Sequence, residues 1–126
     1  MFGLFKGSSS TAPKNIWSVL DSDDQLSSSL DDSFHRPVVI FKHSTRCSIS
    51  SLAKNRLEQE WELTFGDHQI YYLDLIAFRS ISNAVAEKLD VEHQSPQIIV
   101  IKEGKAVYNA SHSSINVEDL RPYISL

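Results

Sequence analysis

Short apolar runs alternate along the chain with longer stretches in which apolar residues recur at helical spacing. Ile16 to Leu20 is a short apolar run and reads as a first, marginal strand. Ser22 has the character of a helix N-cap, with Gln25 three residues on as its capping-box partner. Asp23 and Asp24 fall in the first turn, where the helix dipole favours negative charge. Leu26, Leu30 and Phe34 recur every four residues as one narrow apolar stripe, and Pro37 ends that helix. The run from Val38 to Phe41 is continuous, β-branched and short, the pattern of a strand buried on both faces. After a turn from His43 to Cys47, the residues Ile49, Leu52, Ala53, Leu57 and Trp61 fall at helical spacing. Lys54, Arg56, Glu58 and Glu60 lie largely opposite, which predicts a helix from Ser48 to about Leu63.

The second half continues the alternation. Gly66 and Asp67 mark a loop, and Ile70 to Leu75 reads as a second buried strand. Ser80 or Ser82 is placed to cap a helix carrying Ile81, Ala84, Val85 and Leu89. A loop from Val91 to Ser95 leads to Pro96. Gln97 to Ile101 and Ala106 to Tyr108 then flank Glu103 and Gly104 as a hairpin. Asn116 is placed to cap a last short helix through Val117, Leu120 and Ile124, which Pro122 interrupts. Helices alternating with buried strands imply parallel strands with crossover helices, and the terminal hairpin adds an antiparallel edge. The order predicts an α/β fold, a three-layer α/β/α sandwich of thioredoxin type with a mixed central sheet. A flavodoxin-like sheet needs more parallel strands than this chain supplies.

Composition narrows the picture. The 126 residues fit one domain of about 100–150 residues. Ser8 to Pro13 is small, polar and linker-like, so residues 1–14 are expected to form a flexible segment and residues 15–126 a single domain. Phe2, Leu4 and Phe5 are too few for a secretory signal, and no apolar run reaches the ~20 residues that span a bilayer. These features predict a cytoplasmic protein without a membrane span. Twelve Lys+Arg against sixteen Asp+Glu leave a net charge of -4, which argues against broad nucleic-acid binding. The five histidines show no tight ligand spacing, and neither a metal nor a bound cofactor is expected.

The single cysteine, Cys47, excludes an intramolecular disulfide and a multi-cysteine metal or iron–sulfur site within the chain. Its position is more informative than its count. Cys47 lies just after a buried strand and at the start of a strong helix, where backbone N–H groups and the helix dipole favour an anion. Arg46 is adjacent, Lys42 and His43 are close, and no acidic residue lies between Asp32 and Glu58. In thiol–disulfide exchange the thiolate is the attacking species, and such surroundings favour it. The bland alternative is a buried cysteine acting as a small hydrophobe; the polar, basic turn before Cys47 argues against it. A general-base role for His43 in a cysteine hydrolase has no third member in the sequence to complete it. Ser95-Pro96, immediately before a strand, is either an ordinary turn or a cis-proline beside the cysteine. In the second case it would hold the preceding backbone open to a substrate strand.

The run from Phe41 to Ser50 (FKHSTRCSIS) resembles the active-site segment of the YtxJ-type monothiol bacilliredoxins, a family of thioredoxin-like proteins. Tyr72 to Leu75, Arg79 to Asn83, Val91 to Gln97, and Ser111-His112 resemble that family's pattern in the same order. The resemblance spans about Ile16 to Leu126. It implies removal of a low-molecular-weight thiol, bacillithiol, from protein mixed disulfides. Cys47 would be the nucleophile, Ser50 would occupy the place of a resolving cysteine, and Pro96 would be the cis-proline. Thr45, Arg46, Ser48 and Ser95 would support the site. Some members carry proline directly after the cysteine, where this chain has Ser48. The implied partners are S-thiolated proteins and an external thiol or reductase, with the low-molecular-weight thiol as co-substrate and the protein a monomer. A different class of function, a non-catalytic thioredoxin-fold adaptor with Cys47 inert or redox-sensing, fits the same elements.

Overall fold

A computed structural model describes residues 16–66 and 68–124. The expected N-terminal segment, residues 1–14, lies outside the described residues. The chain runs β1 (Trp17–Val19), α1 (Asp23–Asp32), β2 (Val38–His43), α2 (Ser48–Phe65), β3 (Ile70–Asp74), α3 (Arg79–Leu89), β4 (Gln97–Lys102) and β5 (Lys105–Ser111). Two short 3₁₀ turns and a last helical turn, α4 (Arg121–Ile124), follow.

The five strands form one sheet in the order β1-β3-β2-β4-β5. β2 is central, parallel to β3 and antiparallel to β4, and β4 continues into the antiparallel β5. The alternation of side chains along β2 distributes the core between two layers. Val39 and Phe41 join Ile70, Ile98 and Val100 beneath α2, where Ala53, Leu57 and Trp61 supply the apolar stripe. Val38 and Ile40 join Leu73, Ile99 and Ile101 on the other face, against Leu26 of α1 and Ile81, Val85 and Leu89 of α3. Val38 to Phe41 are buried, as their unbroken apolar pattern predicts, and burial continues through the polar Lys42 and His43.

Local chemistry sets the boundaries. The Ser22 Oγ accepts from the Gln25 N–H and caps α1, while the Gln25 side chain accepts from the Asp21 N–H. Glu103 and Gly104 both take positive φ, 54° and 77°, the combination that closes a two-residue hairpin between twisted strands.

Three local expectations are corrected. Phe34 does not continue the stripe of α1. The helix ends at Asp32 because Ser33 turns its C=O and Oγ to the hairpin N–H groups of Glu103 and Gly104. Phe34 is consequently 62 % exposed and lies over Gly104. Neither Ser80 nor Ser82 caps α3. The helix starts from Phe78, and Asp74 Oδ1 gathers the preceding N–H groups of Ile76 and Ala77. Pro122 does not interrupt a helix. It sits in the first turn of α4, where its missing N–H is not needed, after a separate 3₁₀ turn capped by Asn116.

Candidate active site

Cys47 is the N-cap of α2, with φ and ψ of -116° and 121°. Its N–H donates to the Ser44 C=O at 3.1 Å, and its own C=O accepts from Ser51, so the thiol stands where a tight turn becomes a helix. No side chain caps the N–H groups of the first turn. They and the helix dipole are therefore directed at whatever negative charge forms beside residue 47. Cys47 is half-buried, and Thr45, Arg46, Ser48 and Ile49 around it are exposed. Cys47 thus stands in a partly exposed turn and belongs to neither core cluster.

Ser50 is three residues further on and completely buried. Its Oγ accepts from the Ser44 N–H at 3.0 Å and lies 2.6 Å from His43 Nδ1. The hydroxyl thus ties the end of β2, the turn after it and the first turn of α2 together. His43 is stacked against Phe41 and lies 5.6 Å from the Tyr72 ring. Burial, followed by the positive charge of Lys54, lowers its pKa, against the opposing pull of Asp74 and Glu58. His43 is therefore neutral near pH 7 and can accept the Ser50 hydroxyl proton at Nδ1. That nitrogen faces Ser50, and no hydrogen bond between His43 and Cys47 is found among the described residues.

The antiparallel register places Lys42 opposite Gln97, which brings Pro96 to the end of β2 from which the Cys47 turn departs. The Ser95–Pro96 bond is cis. Neither the N–H nor the C=O of Ser95 has a partner among the described residues, and its buried Oγ also lacks one. The register therefore brings a half-buried cysteine at a helix start and the unpaired Ser95 backbone at a strand start to the same end of the sheet.

Two residues of this region take places that the sequence reading did not give them. Lys42, expected among the basic neighbours of Cys47, instead has no exposed surface, and its Nζ donates to the Ser82 C=O at 3.1 Å and lies 3.2 Å from His93 Nδ1. Burial lowers its pKa from 10.5 to about 8. Gln97 is equally buried and hydrogen-bonds the Glu92 C=O and the Gln94 N–H. A lysine at a strand end ordinarily keeps its ammonium in water, and the apolar run stops at Phe41, so the sequence carried no signal for this arrangement.

The family model for monothiol bacilliredoxin BrxC matches residues 18–120. The chain belongs to the monothiol bacilliredoxin family. A solved protein provisionally described as an oxidoreductase with a thioredoxin fold shares 31 % identity, with a TM-score of 0.74 over 85 % of this chain and 92 % of that one. Thioredoxin from Malassezia sympodialis superimposes with a TM-score of 0.66 at 18 % identity, over 88 % of this chain and 90 % of that one. Thioredoxin O2 from Arabidopsis thaliana gives 0.67 at 19 % identity, over 85 % and 92 %. The last two show the fold alone, a thioredoxin fold, as the element order predicts. Bacilliredoxin membership and the oxidoreductase neighbour support a redox function. No helix among the described residues is long and apolar enough to cross a membrane.

Proposed function

We propose that this bacilliredoxin removes a low-molecular-weight thiol, bacillithiol, from protein mixed disulfides. The observation that carries the reading is a partly exposed Cys47 at the start of α2 with a buried, hydrogen-bonded Ser50 where a second cysteine would stand. The Cys47 thiolate attacks the bacillithiol sulfur of the adduct. A disulfide forms between Cys47 and bacillithiol as the old S–S bond breaks, and the protein's cysteine leaves as a thiolate and takes a proton from water. No electrons are gained or lost overall in this exchange. Ser50 cannot attack the new disulfide, so a second thiol or a partner reductase must release Cys47.

Thr45, Arg46 and Ser48 form the exposed rim over which the adduct approaches. Ser95 offers its unpaired backbone to an extended segment of the substrate, with Pro96 behind it, in the manner of strand addition.

The reaction is tested with a bacillithiolated protein. Wild type is expected to release the protein thiol and to acquire a single bacillithiol mass mapped to Cys47. Cys47→Ala is expected to do neither. Full dethiolation by Cys47→Ala would overturn the reading. An adduct that forms equally with glutathionylated substrate would retain the chemistry and remove the bacillithiol assignment.

A further inference from the structure

Between α3 and Pro96, residues 90–95 form no helix or strand. Two buried polar side chains hold this segment from below. Lys42 and Gln97 are register partners on adjacent antiparallel strands, so their side chains project from the same face of the sheet. Lys42 reaches His93 Nδ1, and Gln97 brackets that residue by bonding the Glu92 C=O at 3.0 Å and the Gln94 N–H at 3.4 Å. Lys42 also reaches the Ser82 C=O, which ties the segment to α3. Packing alone does not ask for an ammonium here, since methionine has a similar length and no charge to desolvate. The two residues after His93 are Gln94 and Ser95, and Ser95 carries the unpaired backbone beside Pro96.

We propose that Lys42 and Gln97 are positioning residues for substrate docking, holding residues 92–95 so that Ser95 presents its backbone to the disulfide-bearing segment of a thiolated protein. The role deepens the dethiolation reading above and rests on it. Neither residue touches the reacting sulfurs. Their loss therefore acts on binding that is shared by ground state and transition state, which appears in KM and not in kcat.

The test compares wild type with Lys42→Met and with His93→Ala. His93 is only half-buried, so its truncation removes the Lys42 partner without opening the core. Each variant is assayed for turnover of a bacillithiolated protein, for alkylation of Cys47 by iodoacetamide and for amide hydrogen exchange at residues 93–95. Both variants are expected to raise KM about tenfold with kcat and alkylation within about twofold of wild type. Exchange at residues 93–95 is expected to quicken about tenfold. An unchanged KM, or a fall in kcat matched by slower alkylation, overturns the proposal. If wild type performs no dethiolation, the redox reading fails. In that case unchanged exchange at residues 93–95 in Lys42→Met also overturns the positioning role, whereas faster exchange supports the tether on which it rests.

Discussion

Replacing Lys42 with methionine is expected to make the protein more stable at neutral pH, by an amount that shrinks as pH rises. The folded state lowers the lysine pKa from 10.5 to about 8 through burial. Each tenfold change in a protonation constant corresponds to about 1.4 kcal/mol, so carrying the ammonium into the fold costs about 3 kcal/mol. Below about pH 8 both folded and unfolded chains hold the proton, and that cost is fully present. Between about 8 and 10.5 the unfolded chain holds a proton that the folded chain releases, so stability of the wild type rises with pH. Above that window the cost is gone.

Methionine avoids the cost at every pH, with some loss from the bonds to Ser82 and His93. Ser82 lies within α3, and half-buried His93 can turn to water, so that loss is modest. A net gain of about 1–3 kcal/mol at pH 7 follows, in the range found when buried charges give way to apolar side chains. Urea unfolding of both proteins at pH 7 and pH 10 measures the difference. Tyr71, Tyr72 and Tyr108, whose pKa values burial raises, titrate in both proteins and cancel in the comparison. A stability gap that stays constant from pH 7 to pH 10 would refute the reasoning, because it would mean that the Lys42 ammonium is solvated in the folded protein.

Three further outcomes are expected. Ser50→Ala should cost about 1–3 kcal/mol in urea unfolding, since it strips the partner from the Ser44 N–H and from His43 Nδ1 in a buried setting. Because the folded state lowers the His43 pKa below 6.5, acidification from pH 7 to 5 should protonate the unfolded chain first and reduce stability. His43→Asn should lose less over the same range in thermal melts. Gly104→Ala should lower stability by about 1 kcal/mol or more in urea titration, because its φ of 77° disfavours a side chain and the added Cβ meets the Phe34 ring at 3.3 Å.

Much of the scaffold was legible because its signals are local. The unbroken apolar run of β2, the stripe of α2 and the turn residues Glu103 and Gly104 each announce their element from within a few positions. The same locality placed Cys47 between a buried strand and a helix. Residues whose partners are distant were misread or overlooked. Phe34 continues a good helical stripe, yet Ser33 is claimed by a hairpin seventy residues away. Ser80 and Ser82 have the right chemistry for a cap, but the turn is taken by Asp74. Ser50 reads in sequence as a missing cysteine and is in fact the hydroxyl that joins His43 to the turn before Cys47.

By itself, then, the sequence determined the types and order of the main elements, the place of the single cysteine between a strand and a helix, and the absence of a second thiol in this chain. Tertiary structure decided that β2 lies between β3 and β4, and with that placement which residues meet at the end of the sheet. Periodicity is a property of neighbouring positions and reports which face of an element is apolar. It carries no register between strands. The bonds of Lys42 to His93, and of Gln97 to the chain on either side of it, exist only once the β2–β4 pairing is set. The position of the thiol is accordingly written in its immediate neighbours, whereas the surface that would present a substrate to it is assembled by the sheet.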